Sequence, residues 1–138
     1  MSHLPSVYRG SIPGGVRCGT SITLEGKVDS ETNRFDIELK SSICGCDIPL
    51  HCSFRFNEGC VVRNHRQTTH GWGNEEREGG MPLNPGQNFS IHFKIHSNAI
   101  FMTVNGNHLC SFNHRHPMCS ISCVAVYGGA CISSVKFC

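Results

Sequence analysis

The sequence predicts an all-β domain of short antiparallel strands, and two observations carry that expectation. Apolar and polar residues alternate with period two along most of the chain, and turn signals rich in Gly, Pro and Asn separate the alternating runs. No stretch has the 3.6-residue periodicity of an amphipathic helix. Many closely spaced strands of this kind build a two-sheet sandwich or a barrel. At 138 residues the chain suits one compact domain, residues 1–138, with no internal repeat, linker-like shift or low-complexity segment.

The elements follow in order. Ile22, Leu24 and Val28 mark an early strand, and Arg34 to Lys40 switches between polar and apolar at every step. Ile48 to Phe56 and Val61 to Asn64 read as neighbouring strands. Asn88 to His96 alternates for nine residues and is the clearest strand in the chain. Ile100, Met102 and Val104 give another, and Ser120 to Tyr127 and Cys131 to Phe137 complete the set. Turn signals stand at Pro13-Gly14-Gly15, Asn84-Pro85-Gly86, Asn105-Gly106-Asn107 and Gly128-Gly129, the last two as expected tight hairpins.

Composition excludes several classes. Hydrophobic residues are 38% and charged residues 16%, which is neither a disordered chain nor a charged coiled coil. The formal charge is only +2 and the basic residues are scattered, so no nucleic acid partner is expected. No apolar run approaches the ~18–20 residues of a membrane span, so membrane insertion is not expected either. Met1 to Gly15 has no basic region followed by an apolar segment, and an ordinary signal peptide is therefore not expected. That points to a cytoplasmic protein, with leaderless release to the extracellular space left open. Ten cysteines would form a disulfide framework in a secreted chain; in a reducing compartment they are expected to be mostly free thiols. Asn88-Phe89-Ser90 matches a glycosylation acceptor that such a chain would leave unmodified.

The segment Ile48 to Phe56 carries the most chemistry. Ile48, Leu50, Cys52, Phe54 and Phe56 fall on one apolar face of a strand, and His51, Ser53 and Arg55 project from the other. A ring nitrogen, a hydroxyl and a guanidinium in a row suit a polyhydroxylated ligand, although a solvated strand face would look the same. Asn64, on the neighbouring strand, can both donate and accept. Trp72, the only tryptophan, lies between two glycines in a polar stretch, which places its ring at the surface. Glu75 and Arg77, two residues apart, share a face. An exposed indole beside Glu, Arg, Asn and His makes a saccharide site, with the sugar's C–H face on the ring and its hydroxyls on fixed polar groups.

These runs resemble the galectin family of β-galactoside-binding lectins. The family's His-x-Asn-Pro-Arg, Val-x-Asn and Trp-Gly-x-Glu-x-Arg stretches are matched by His51-Cys52-Ser53-Phe54-Arg55, Val62-Arg63-Asn64 and Trp72-Gly73-Asn74-Glu75-Glu76-Arg77. Met81-Pro82-Leu83 and Val104-Asn105-Gly106 fit as well, and the likeness runs from about Ile12 to Phe137. The resemblance implies a jelly-roll, concanavalin-like β-sandwich of two antiparallel sheets, with the sugar across the concave one. It implies that His51 and Arg55 bond the axial O4 of galactose, that Asn64 and Glu75 take O6, and that Trp72 stacks under the ring. Glu75 and Arg55 would also reach the adjoining sugar, with Glu75 fixed between Arg55 and Arg77. The implied partners are β-galactosides of the lactose or N-acetyllactosamine type on glycoproteins and glycolipids, bound without a metal or other cofactor. A homodimer is expected as well, because one site per chain cannot crosslink glycans. Ser53 and Phe54 depart from the family's Asn and Pro. The alternative function is accordingly a galectin-like interaction or structural protein with weakened or altered sugar specificity.

Catalysis is not expected. Cys52 adjoins His51, but neighbours on a strand point to opposite faces and cannot form a dyad, and Glu75 and Glu76 fail as a glycosidase pair for the same reason. His108, Cys110, His114, His116, Cys119 and Cys123 lack zinc-site spacing, so packed thiols and structural histidines are expected there.

Overall fold

The computed structural model describes residues 4–42 and 47–138, so Cys44 and Cys46 lie outside the described residues. Among the described residues eleven strands form two antiparallel sheets. These are β1 Ser6–Ser11, β2 Ser21–Val28, β3 Arg34–Lys40, β4 Ile48–Arg55, β5 Cys60–Gln67, β6 Gly71–Trp72, β7 Asn88–Ile95, β8 Ala99–Val104, β9 Asn107–Asn113, β10 Cys123–Gly128 and β11 Ala130–Phe137. The six-stranded sheet has the order β1-β10-β3-β4-β5-β6, and the five-stranded sheet the order β11-β2-β7-β8-β9. Among the described residues the only helical element is a single 3-10 turn, Met118–Ser120.

The core fills the space between the sheets, as alternation requires. Phe35, Ile37, Leu39, Leu50, Cys52, Phe54 and Val61 on one inner face meet Ile22, Leu24, Phe89, Ile91, Phe93, Ile100 and Met102 on the other. Phe54 stacks on Phe35 with ring centroids 4.5 Å apart and planes 5° from parallel, and Phe89 continues the stack. The departure from the family at position 54 is therefore a core-packing change.

One expected hairpin forms and the other does not. Asn105 and Gly106 both take positive φ (49° and 84°), the I′-type turn that matches the right-handed twist of the strands it joins, here β8 and β9. Gly128-Gly129 does not close a hairpin, because β10 and β11 belong to different sheets. Gly128, at φ 94°, carries the chain from one sheet to the other, and its N–H bonds to Pro5 O while that of Gly129 bonds to Arg34 O. The strand expected from Ser120 starts only at Cys123, because the 3-10 turn takes up Met118–Ser120. Strands β1 and β9 were not singled out in the sequence. A register shift between Ser6 and Tyr8 interrupts β1, and one between Met102 and Thr103 disturbs the pairing of β9.

Among the described residues no disulfide links the eight cysteines: Cys52, Cys110 and Cys123 are buried, Cys60 is half-buried, and Cys18, Cys119, Cys131 and Cys138 are exposed. Burial pushes the Cys52 thiol well above its ordinary range, which suits a packed hydrophobe.

Candidate functional site

Strands β3, β4 and β5 bring the site together through their register. Glu38 faces His51 and His51 faces Asn64 across adjacent strands, so one row of side chains crosses the outer face of the six-stranded sheet. Asp36 and Ser53 form the next row, and Arg34 and Arg55 the one after. With Trp72, Gly73, Val62 and Glu75, the residues Arg34, His51, Arg55 and Asn64 line an open pocket of about 380 Å³.

The sheet face beneath this pocket is polar and buried. His51 is 4% exposed, Ser53 0%, Asp36 0% and Glu38 5%, so this face is a packed hydrogen-bonded layer and not a solvated strand surface. Glu38 Oε2 lies 2.8 Å from His51 Nδ1. The carboxylate can only accept, so Nδ1 carries the hydrogen and Nε2 is left for a ligand. Arg34 forks onto Asp36 with bonds of 2.9 and 2.8 Å. That pairing raises the Arg34 pKa and offsets the charge of the buried Asp36 carboxylate, which also has His51 Nε2 3.8 Å away.

Arg55 is held from two sides. Its Nε donates to Ser53 Oγ at 3.1 Å, and its Nη1 pairs with Glu58 at 3.6 Å. Arg77 donates to Glu58 Oε1 at 2.8 Å and to Glu75 Oε1 at 3.0 Å. The carboxylate that bridges Arg55 and Arg77 is thus Glu58, where the sequence pointed to Glu75. Glu58 sits in the turn after β4, three residues beyond Arg55, which lets it reach both guanidinium groups. The hydrogen bond from Arg77, helped by the charge of Arg55, lowers the Glu58 pKa, and the same two acids hold Arg77 firmly protonated.

Trp72 is 41% exposed and stands edge-on to His51, with ring centroids 4.8 Å apart. The surface placement expected for its indole is found. Glu75 and Arg77 share a face as expected, although not on a strand. The chain there pairs as a strand at Gly71–Trp72, adds a backbone bond from Gly73 N to His65 O, and meets β5 again at the isolated Arg63–Glu76 bridge.

Asn64 is 4% exposed and largely occupied. Its Nδ2 donates to Gly73 O at 3.0 Å, and its Oδ1 accepts from His65 N at 2.7 Å and from Arg115 Nη1 at 3.2 Å. All seven residues singled out in the sequence (His51, Ser53, Arg55, Asn64, Trp72, Glu75 and Arg77) therefore lie in one connected cluster. Arg34, Asp36, Glu38, Glu58 and Arg115 were missed. The polar positions of β3 announce the first three, since Arg34, Asp36 and Glu38 alternate onto one face. Arg115 has no local signal.

The histidines and cysteines between His108 and Cys123 are spread over both sheets and the loop after β9. His114 bonds His96 O at 2.8 Å, and His116 pairs with His65 at 2.8 Å. Among the described residues no group of three or more His, Cys, Asp or Glu could hold a metal ion.

Known proteins resemble this chain in sequence and in fold. The family model for galactoside-binding lectins matches residues 7–137. The chain is 33% identical over 134 residues to the 32 kDa beta-galactoside-binding lectin of Haemonchus contortus, covering 97% of this chain and 46% of that protein. It is 32% identical over 135 residues to the probable galaptin lec-8 of Caenorhabditis elegans, covering 97% and 72%. With galectin-4 of Bos taurus the identity is 31%, over 94% of this chain and 40% of the relative. The chain thus spans about half the length or less of two of these three curated relatives. The crystal structure of galectin LEC-6 from C. elegans superposes with a TM-score of 0.85 at 26% identity, covering 100% of this chain and 92% of that one. A family match that runs from β1 to the end of β11, on the two-sheet fold seen in a solved galectin, establishes that the chain belongs to the galactoside-binding lectin family, the galectins.

Proposed function

We infer that this chain is a lectin for β-galactosides of the lactose or N-acetyllactosamine type, bound across the outer face of the six-stranded sheet without a metal. The observation that carries it is the half-exposed Trp72 indole beside a pocket walled by His51, Arg55, Asn64 and Glu75. An indole face packs on the apolar C–H side of a pyranose, and the fixed polar groups around it meet hydroxyls. His51 offers Nε2 and Arg55 its remaining guanidinium hydrogens to an axial hydroxyl. Asn64 offers an N–H and Glu75 a carboxylate oxygen to the exocyclic one. Ser53, Glu58 and Arg77 act by holding these groups in place.

Every contact in this scheme is a direct hydrogen bond or a stacking contact, so no metal is required. Retention on immobilised lactose in the presence of a chelator, followed by elution with free lactose, tests both parts. Failure to bind overturns the galactoside reading, and binding that needs added calcium overturns the metal-free one. Glycoproteins and glycolipids bearing terminal galactose are the partners this implies. Crosslinking them requires two sites in one particle, so a homodimer belongs to the reading. Sedimentation at micromolar concentration, with and without lactose and reductant, tests it, and monomers under all conditions would overturn it.

A further inference from the structure

The loop after β9 leaves the edge of the five-stranded sheet and packs against the β5–β6 edge of the other sheet. His114 anchors it to His96 O, and its backbone N–H bonds Asn98 O at 3.0 Å. Beyond that anchor, the Arg115 guanidinium lies over the Phe112 ring, 4.7 Å from its centroid. One arm donates to Glu76 Oε2 at 2.9 Å and the other to Asn64 Oδ1 at 3.2 Å. His116 meets His65 on the same side. Gly73, whose carbonyl takes the Asn64 amide, sits tightly beneath. A Cβ there would collide with the His65 ring and press on Arg115 Nη1, 3.1 Å away.

The consequence lies in the orientation of one amide. Asn64 Oδ1 has two lone pairs, and both are engaged, by a backbone N–H and by a guanidinium. Turning the amide over would set its NH₂ against two donors. The amide is therefore locked with one Nδ2 hydrogen on Gly73 O and the other left for the pocket. This corner of the site can donate to a ligand oxygen and cannot accept from one through Asn64.

We propose that Arg115 is a positioning residue for the sugar site. It fixes Asn64 as a hydrogen-bond donor and so makes this end of the pocket select for an acceptor oxygen on the ligand. The proposal rests on the galactoside reading above, with the galactose O6 as the oxygen concerned.

Calorimetry with lactose and 6′-deoxylactose separates the possibilities. Wild type should favour lactose by about tenfold or more, the combined worth of the hydrogen bonds that Asn64 and Glu75 make to that hydroxyl. Arg115→Gln should shrink that preference to about threefold or less while 6′-deoxylactose affinity stays unchanged, because that ligand has no use for Asn64. Glu76→Gln releases the other arm of Arg115 without touching Asn64 and should have the same effect in a smaller degree. Arg115→Lys should not restore the preference, since an ammonium cannot span both partners as the fork does. Equal weakening of both ligands in Arg115→Gln and Glu76→Gln, or an unchanged preference in both, overturns the positioning role. A wild-type protein that binds neither sugar overturns the galactoside reading itself.

Discussion

Ser53 Oγ accepts a hydrogen bond from Arg55 Nε at 3.1 Å, although Ser53 has no exposed surface of its own. The shorter side chain at the family's Asn position thus keeps a hold on the guanidinium next to it. Ser53→Ala should lower lactose affinity about 2–10-fold by freeing Arg55 to move, with little change in fold. Titration calorimetry checks this, and unchanged affinity would mean that Glu58 alone holds Arg55.

Trp72→Ala should be among the most damaging single changes for binding. Loss of stacking on the ring costs about 1–3 kcal/mol by analogy with stacking of bases on aromatic side chains. The indole is 41% exposed and lies outside the core between the sheets, so the melting temperature should hardly move. Parallel calorimetry and thermal denaturation decide whether both statements hold.

Glu58→Gln should weaken sugar binding without any contact to the sugar. Arg55 and Arg77 each lose an ionic partner, and Glu75 is left with a less ordered Arg77. The Glu58 pKa lies below its ordinary 4.5, so its contribution is present above that value and is lost as pH falls through the lowered one. Lactose affinity of the wild type should therefore hold from neutrality to about pH 5 as far as Glu58 is concerned. The Glu58→Gln variant should be weaker across that whole range, and a titration series over pH measures both.

The His65–His116 pair gives a second pH signature, in stability. Both pKa values lie below the ordinary 6.5, chiefly through burial, with the Arg115 charge adding to the effect on His65 while Asp47 partly opposes it on His116. Below about pH 6.5 the unfolded chain takes up protons that the folded one resists. The stabilising effect is thus complete above that pH and is lost as pH falls through the folded values. The melting temperature should drop as pH is lowered from 7.5 to 5.5, and His116→Gln should flatten that slope. Two protonated imidazoles would also forfeit their shared hydrogen bond, since neither ring could then accept.

The fold class and much of the site were legible in the chain because strand alternation is a local rule. Every second residue of Ile48 to Phe56 had to face the core, and that alone set His51, Ser53 and Arg55 on the opposite face. The Asn105-Gly106 turn was equally readable, since two consecutive positive φ values need residues of that kind. Gly128-Gly129 carries a similar signal and misled. A glycine pair specifies that the chain can turn sharply, not which sheet the next strand joins.

What the sequence determined by itself was therefore the sandwich, the faces of its strands, the family likeness and the seven residues that gather at the site. Tertiary structure alone decided how those residues are held. Glu58 took the bridging role expected of Glu75 because the turn after β4 swings it between two guanidinium groups. Arg115 reached Asn64 from 51 residues away because the loop after β9 crosses between the edges of two sheets. Alternation fixes the side on which a residue stands. Its partners there depend on strand register and on loops that no local pattern encodes, because the energy of each such contact is realised only once both segments have packed.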